Sequence, residues 1–379
     1  MCIRDREYYK ADYDILAMTD HGVITNGWTS ERETNGIFNK FRKVYPMSEE
    51  NYERITKGLD RGGRGMTDIR GGIECNMAVI SKTHVNGYFT TYGQGEWGIE
   101  NDYRTAPVEI EKAGGYSVLN HVGDWVDSGR FPHRSHWNVY IAYFAGIFID
   151  CPSCLGMEIV NNTDRVTRGD RELWDELLQV VIPKGRNIWA FADDDSEKLN
   201  EVGRSFEFFV LPENNESNVK KAMKDGNFFA ASKYYKTTDG VGDFDGDGNV
   251  PLVTDIKVDQ KANTITVATD PTRDCRVIEW IADGKVIATG NTIDLNDYEK
   301  DLGCYIRFQM KGSGGVTYSQ PFELQYKGRI DKPVPSWVLW VFKTEAGQKF
   351  MKFYHSHSFA LGALIAEKIR ILIEDNIKK

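Results

Sequence analysis

The 379-residue sequence predicts an α/β fold in which a mostly parallel sheet closes into a barrel and a small all-β domain follows. From about residue 7 to 235, strand-like and helix-like segments alternate, which favours parallel strands joined by helices. Several of the strand-like segments end in residues that bind metal ions, a pattern typical of hydrolases built on barrels. From 252 to 327 the pattern changes to short alternating strands, and a tail follows over 336–379.

The elements of the first region are predicted from apolar spacing and from residues that end helices. The predicted helices span residues 106–113, 171–181 and 217–225. The predicted strands span residues 116–120, 187–192 and 206–211. Asp170 is a suitable N-cap for the second helix, because its side-chain oxygen can accept a hydrogen bond from the first turn. Gly226 is a suitable C-cap for the third helix, since glycine readily adopts the left-handed conformation found there.

The region from 252 to 327 has the pattern of an antiparallel β-domain. Glycines and aspartates over 236–251 predict a linker before it. Asp283-Gly284, between the apolar runs 277–281 and 285–288, predicts a two-residue hairpin. Further strands are predicted over residues 264–267, 305–310 and 322–326. An immunoglobulin-like sandwich accounts best for this succession of short strands.

The tail over 336–379 combines a strongly apolar run at 337–342 with helical spacing over 359–373. We expect a helix that packs on the barrel or on a partner, and a role at a membrane surface is the alternative. No segment approaches the roughly 20 apolar residues that a transmembrane helix needs.

The net charge of −9 argues against a protein that binds duplex nucleic acid, which would need a basic face. It is compatible with a small phosphorylated substrate, whose charge metal ions can neutralise locally. The six cysteines show no metal-finger spacing, and Cys151 and Cys154 form a CxxC without a second pair. Cys275 and Cys304 could bridge two strands or remain free thiols, so the redox compartment and the oligomeric state stay open.

Residues 1–6 resemble neither a signal peptide nor a helix start, and they are left out of the fold prediction. They are similar to the leader found on translated metagenomic fragments. We therefore expect the native protein to begin upstream, so that localisation cannot be predicted from this terminus.

Four strand-like segments end in residues that bind metal ions. Thr19-Asp20-His21-Gly22 follows the apolar run 13–18, and its glycine lets the backbone turn away. The other three segments end in Glu74, His121 and Asp195. Oxygen and imidazole ligands that converge from several strand ends are what a hydrolase with more than one metal ion requires.

Together these motifs resemble the PHP (polymerase and histidinol phosphatase) family of metal-dependent phosphoesterases over about residues 7–231. The motifs that carry the resemblance lie at residues 19–22, 72–74, 120–123, 156–161, 192–197 and 203–205. The resemblance implies a distorted (β/α)7 TIM-like barrel with a C-terminal sandwich like that of some members. It also implies two or three divalent ions at the strand ends, which could be Mn²⁺, Zn²⁺, Fe²⁺ or Mg²⁺.

The resemblance further assigns metal ligands to individual positions. The residues that match are Asp20, His21, Glu74, His84, His121 and Asp195. Glu74 matches the carboxylate that bridges two ions. Glu197 stands where the family has a final histidine, and a glutamate there shifts metal preference away from zinc. The family's first motif, His-x-His, has no counterpart before Asp20, and we expect that truncation removed it.

The reaction implied by the resemblance is hydrolysis of a small phosphate monoester or diester by a hydroxide that bridges two ions. His121 is a candidate for catalysis as well as for metal binding. A polar loop follows it with Arg130, His133, Arg134 and His136. One of these residues, Arg130 or His133 in particular, is expected to contact the phosphate or protonate the leaving group, unless the loop is merely exposed. Arg204 is a second candidate for the phosphate.

Two further interpretations come from single features of the sequence. A barrel that has lost turnover could serve as a binding or interaction module, and the Glu197 substitution favours this alternative. Asp243, Asp245 and Asp247 resemble the start of a calcium loop, but Thr254 occupies the position where an EF-hand has its last acidic ligand. A linker rich in aspartate and glycine is the alternative to calcium binding.

Overall fold

The computed structural model describes residues 2–30, 46–75, 83–95, 102–126, 138–325, 344–347 and 349. Within these ranges the chain is a mixed α/β protein with several separate sheets. Among these residues no helix is both long and apolar enough to cross a membrane. The predicted tail helix and the apolar run at 337–342 lie outside the described ranges, and they stay predictions.

The helices and strands carry the labels used below. The α-helices are α1 (Cys2–Lys10), α2 (Glu49–Lys57), α3 (Thr105–Lys112), α4 (Val122–Val126), α5 (Asn138–Asp150), α6 (Asp170–Val181) and α7 (Glu216–Asp225). The strands of the first half are β1 (Ile15–Ala17), β2 (Thr67–Ile69), β3 (Ile73–Cys75), β4 (Val85–Tyr88), β5 (Tyr116–Leu119), β6 (Cys154–Asn161), β7 (Trp189–Asp193), β8 (Ser205–Phe209) and β9 (Phe228–Ser232). Those of the second half are β10 (Tyr234–Tyr235), β11 (Phe244–Asp245), β12 (Val253–Asp259), β13 (Thr264–Thr269), β14 (Val277–Ala282), β15 (Lys285–Thr289), β16 (Thr292–Asp294), β17 (Tyr305–Gly312), β18 (Gly315–Tyr318) and β19 (Phe322–Glu323).

The predicted helices α3, α6 and α7 are confirmed to within one residue at each end. Gly226 caps α7 in the left-handed conformation, with φ of 71°. Asp170 is the first helical residue of α6 rather than its N-cap, which is Gly169. Its carboxylate instead accepts a hydrogen bond from the Gly123 N–H at 3.0 Å and so ties α6 to α4.

The segment at residues 2–10 is helical, so the prediction that residues 1–6 form no helix start was wrong. Apolar spacing gives little signal there, because α1 is charged along most of its length. Its two tyrosines, Tyr8 and Tyr9, nevertheless pack in a core cluster with Trp28 and Ile55. Packing against these residues, rather than intrinsic propensity, holds the helix in place.

A five-stranded sheet in the order β3-β4-β5-β6-β7 forms the centre of the first region. β6 runs parallel to β5 and β7 and is buried at all eight positions, as expected for a strand covered on both faces. β3 and β4 are antiparallel, so the sheet is less parallel than predicted. A connecting helix permits parallel pairing but does not require it.

A second sheet has the order β15-β14-β17-β18-β9-β8 and crosses the predicted domain boundary near residue 252. Its strands β8 and β9 come from the predicted barrel, and the others come from the predicted sandwich. β12, β13 and β16 form a separate sheet, and β1 and β2 form a parallel pair. Hydrogen bonds among the described strands do not join them into a closed ring, so the (β/α)7 barrel and its domain limits stay predictions.

The hairpin at Asp283-Gly284 is confirmed. Both residues have positive φ, 48° and 75°, as a two-residue turn of the primed type requires. No disulfide joins Cys275 to Cys304 in this structure, in agreement with the second of the two alternatives left open by the sequence. Burial raises the pKa of Cys151 to about 11 and that of Cys154 to about 12, so the CxxC pair is poorly suited to redox chemistry.

A buried ion pair joins α6 to the second sheet. Arg307 donates two hydrogen bonds to the Asp175 carboxylate, at 2.7 and 2.6 Å, and the Tyr305 hydroxyl donates a third at 2.7 Å. The side chains of Asp175 and Arg307 are only 4% and 3% exposed. Because neither charge has access to water, each depends on the other.

We expect Asp175→Asn to lower the free energy of unfolding by about 3–5 kcal/mol, because it leaves the buried Arg307 charge uncompensated. Urea denaturation followed by tryptophan fluorescence measures this loss. The control is Glu109→Gln, which removes an exposed ion pair with Lys112 and should change stability by less than about 0.5 kcal/mol. Equal effects of the two substitutions would contradict the account of this interface.

Candidate metal centre

The end of β1 and the end of β3 are fixed against each other by backbone hydrogen bonds. The Gly22 N–H donates to the Glu74 carbonyl at 2.8 Å, and the Glu74 N–H donates to the Asp20 carbonyl at 3.2 Å. Gly72 is needed for this approach, because a Cβ there would lie 2.4 Å from the Met18 carbonyl oxygen. The predicted strand-end motifs at residues 19–22 and 72–74 therefore meet at one place.

The Glu74 carboxylate lies among three histidines. Its Oε2 is 2.8 Å from His21 Nδ1, and its Oε1 is 3.0 Å from His84 Nδ1 and 3.9 Å from His121 Nε2. The His84 ring stands edge-on to the other two, with ring centres 5.0 Å apart in both pairs. Asn120 Nδ2 donates a further hydrogen bond to Oε1 at 3.1 Å.

The charges of this cluster stabilise one another. Burial alone would raise the pKa of Glu74, but its interactions with His121, His21 and His84 lower it well below its usual range. Burial alone would lower the pKa of His121, but the Glu74 carboxylate and the nearby acidic residues raise it to about 9. Glu74 is therefore ionised, and the imidazoles around it compensate its negative charge, as a bound cation would.

The donor set fits a divalent ion. Ligand atoms of His21, Glu74 and His84 lie within 4.8 Å of one another, the one such group within the described ranges. Two imidazole nitrogens and a carboxylate oxygen suit zinc, manganese or iron. His121 Nδ1 is buried and has no hydrogen-bond partner among the described residues. His121 also has a positive φ of 30°, a strained conformation of the kind found at functional sites.

Glu158, which sequence reasoning did not select, fixes the position of His121. Its Oε2 accepts a hydrogen bond from the His121 backbone N–H at 2.6 Å. Asn161 Nδ2 lies 3.2 Å from the same carboxylate and 3.3 Å from Asp195 Oδ2, so it links the two. The signal in the sequence was a single carboxylate inside the apolar run of β6, where burial without a partner would be costly.

The carboxylates beside Glu158 share this buried environment. Burial and the charges of Asp193 and Asp195 raise the pKa of Glu158 well above its usual range. Burial also raises the pKa of Asp193 to about 6. Asp194 has a structural role, because it accepts hydrogen bonds from the N–H groups of residues 203–205.

The predicted ligands Asp20, Asp195 and Glu197 are not part of the close group. Asp20 meets Glu74 through its backbone carbonyl. Asp195 is exposed at the edge of the centre and lies beside Asn161. Glu197 is also exposed, and its N–H donates to Glu201 at 2.8 Å.

The other predicted site residues fall into two groups. Arg130, His133, Arg134 and His136 lie outside the described residues, so their roles stay predictions. Arg204 is described, and its guanidinium contacts Asn162, which donates to the Asp195 carbonyl at 3.3 Å. The guanidinium therefore lies near the edge of the centre.

The candidate calcium ligands have separate partners. Asp243 accepts from the Thr237 N–H at 2.7 Å, Asp245 pairs with Lys236 at 2.5 Å, and Asp247 accepts from the Asn249 N–H at 2.9 Å. They are not grouped as metal ligands in the described part of the chain. A calcium site here stays a prediction.

No family model and no curated protein matches the chain. A similar solved structure is the crystal structure of a two-domain protein containing a predicted PHP-like metal-dependent phosphoesterase from Bacteroides vulgatus ATCC 8482. The two are 14% identical, the match covers 86% of this chain and 82% of that one, and the TM-score is 0.42. At that identity and TM-score the likeness establishes neither the family nor the activity of this chain.

We expect Glu158→Ala to destabilise the protein by about 1–3 kcal/mol, because it leaves the buried His121 N–H without an acceptor. Glu158→Gln should cost much less, since the amide oxygen can still accept that hydrogen bond. Thermal unfolding of both variants tests the difference. If the two variants unfold at the same temperature, the hydrogen bond to His121 is not what Glu158 contributes.

Proposed function

We propose that the protein is a metal-dependent phosphoesterase that hydrolyses a small phosphate monoester or diester. The observation that carries the proposal is the buried Glu74 carboxylate with His21, His84 and His121 around it. Three imidazoles around one buried carboxylate bring together the nitrogen and oxygen donors that transition-metal ions and zinc prefer. The same donors are well suited to hold a divalent ion.

In this proposal His21, Glu74 and His84 hold the first ion, and His121 lies next to it. A bound divalent ion lowers the pKa of water and neutralises charge on phosphate oxygens. The second and third ions, with Asp20, Asp195 and Glu197 as ligands, are part of the proposal, as is the (β/α)7 barrel around them. The metal could be manganese, zinc, iron or magnesium.

The chain itself contributes positioning and charge. Glu158 holds the His121 backbone, and Asn120 holds the Glu74 carboxylate, so both ligand side chains are oriented before an ion binds. We propose that the Arg204 guanidinium contacts a substrate phosphate at the edge of the centre, because it lies beside Asn162 there. Arg130 and His133 are proposed to assist from the loop after α4, by binding phosphate or by protonating the leaving group.

The alternative function is a binding module without turnover. It is favoured by the position of Glu197, which lies exposed and outside the close group of ligands. A protein of this kind would bind metal in stoichiometric amounts and release no phosphate from any ester.

The first test is Glu74→Gln, which removes the carboxylate charge while it keeps the size of the side chain. We expect Mn²⁺ affinity, measured by isothermal titration calorimetry, to fall at least 100-fold, and hydrolysis of p-nitrophenyl phosphate and its bis ester to be lost. Glu109→Gln on the surface of α3 is the matched control and should leave both unchanged. Tight Mn²⁺ binding by the Glu74→Gln variant would contradict the proposed centre, and metal binding without turnover in the wild type would favour the binding module.

The second test is Arg204→Gln. The substitution removes a phosphate-binding charge, so KM for a phosphate ester should rise about tenfold or more, with Mn²⁺ affinity unchanged. Steady-state kinetics over a range of substrate concentrations separates KM from kcat. A wild-type KM in this variant would show that Arg204 does not contact the substrate.

A further inference from the structure

A cavity of about 800 Å³ lies between the strands β1 and β8. Every residue over 14–17 and every residue over 205–209 lines it. Because side chains alternate across a strand, a strand face would contribute every second residue, whereas a strand edge contributes consecutive residues. The cavity is therefore bounded on two sides by strand edges.

The edge of β1 that faces the cavity has backbone groups to offer. Among the described strands, β1 is hydrogen bonded only to β2. The Asp14 carbonyl accepts from the Thr67 N–H at 2.9 Å, so Asp14 directs its backbone groups toward β2, and Leu16 does the same two positions later. Ile15 and Ala17 therefore direct their N–H and C=O groups toward the opposite edge, where the cavity lies.

The edge of β8 is arranged in the same way. Within the described part of the chain, β8 is the last strand of its sheet and pairs only with β9. The Val210 N–H donates to the backbone just before β9 at 2.9 Å, so Glu207 and Phe209, at odd spacings from it, face the other edge. The Ser205 N–H, which points to that same edge, donates to the Asp194 carboxylate at 2.9 Å and not to a strand.

The cavity has the volume of a short strand segment. Strands lie about 4.8 Å apart in a sheet, packed sheets lie about 10 Å apart, and a strand rises about 3.4 Å per residue, so one strand residue fills roughly 160 Å³. A volume of about 800 Å³ therefore holds about five residues of extended chain. This length matches the five residues of β8.

The lining of the cavity is acidic. Arg273 is the one cationic residue among the lining residues that the structure describes. The acidic lining residues are Asp12, Asp14, Asp193, Asp194, Glu207, Glu213 and Asp247. Arg61 compensates the first two, at 2.8 Å from each carboxylate, but the others have no such partner among the lining residues except Arg273.

Glu207 shows the consequence of this excess of negative charge. Burial and the charges of Asp193 and Asp194 raise its pKa well above its usual range. Its Oε1 accepts a hydrogen bond from the Ala192 N–H at 2.8 Å, which fixes the carboxyl group in the wall. A basic side chain in the cavity would stabilise the ionised form of Glu207, so the wall is complementary to a cationic occupant.

We propose that this cavity binds an extended segment of a partner protein, about five residues long and with basic side chains, which pairs with β1 on one side and with β8 on the other. Alternate residues of an extended chain direct their backbone groups to opposite edges, so one segment can bond to both strands. The net charge of −9 favours a basic partner over a second copy of this chain, because like charges repel. The proposal does not rest on the proposed function, since neither edge contains a proposed metal ligand.

The place of binding is tested by hydrogen–deuterium exchange with mass spectrometry on the full chain, with a chelator present. The probe is a blocked pentapeptide of alternating lysine and valine, with lysine at both ends. At saturating probe, the segments over 13–18 and 205–210 should exchange at least tenfold more slowly, and the segment over β6 is the internal control that should not change. The absence of binding, or unchanged exchange at both edges, would overturn the proposal.

The chemistry of the occupant is tested by fluorescence anisotropy with labelled forms of the probe. A peptide with glutamate in place of lysine, and one whose valine nitrogens are methylated, should each bind at least tenfold more weakly. Equal affinity of the glutamate peptide would overturn the basic partner, and equal affinity of the methylated peptide would overturn strand pairing. Displacement of the probe by an equal concentration of spermidine would mean that the cavity takes a small organic cation, and would also overturn the proposal.

The contribution of the acidic wall is tested with Glu207→Gln, which keeps an acceptor for the Ala192 N–H and removes the charge. The affinity for the lysine peptide should fall at least fivefold, whereas the affinity for the glutamate peptide should not fall. Glu109→Gln on the surface of α3 is the matched control and should bind the lysine peptide as the wild type does. Unchanged affinity in Glu207→Gln would overturn the pairing of a basic side chain with this wall.

Two results without the probe would assign the edges to a different occupant. If the edge segments of the dilute monomer exchange as slowly as β6, another part of the chain covers them. If they are protected only at concentrations where native mass spectrometry finds a dimer, a second copy covers them. Either result overturns the proposal, and neither affects the proposed function, because both are recorded with the chelator present.

Discussion

A carboxylate that is removed from water must be compensated, and Glu74 is the point at which this requirement organises the structure. Only 6% of the residue is exposed, and its compensation comes from residues that follow β1, precede β4 and follow β5. Each of these backbone segments must therefore end within reach of one side chain. The close approach at Gly72 and the strained backbone of His121 are consequences of that convergence.

Residues of strand β6 hold this arrangement in position. Glu158, on the fully buried strand β6, holds the His121 backbone, and Asn161 on the same strand connects it to the loop with Asp195. β7, the next strand of the sheet, is joined to the second sheet by side chains. Its Ala190 N–H donates to Gln320 and its Ala192 N–H to Glu207, both at 2.8 Å. These hydrogen bonds tie β7 to β8 of the second sheet and to the residue that lies two positions after β18.

Sequence reasoning predicted the part of the site that backbone spacing determines. His21, Glu74, His84 and His121 come together because each lies at or beside the end of a short strand, where few conformations are available. Glu197 depends on a loop conformation that local pattern does not encode, and it lies apart. Glu158 lies within the motif at residues 156–161 but was not selected as a site residue, because its role follows from its burial in the strand, which requires a partner. Helix α1 was missed for a related reason, since tertiary contacts rather than its own composition hold it.

Diffraction from crystals soaked in Mn²⁺, recorded with anomalous scattering, tests the central claim most directly. The account predicts a strong anomalous peak within coordination distance of His21 Nδ1, His84 Nδ1 and a Glu74 oxygen, with the close contacts of both imidazoles with Glu74 replaced by bonds to the ion. Peaks only at other acidic positions, such as the loop with Asp243 and Asp247, with His21 and His84 still in contact with Glu74, would contradict it.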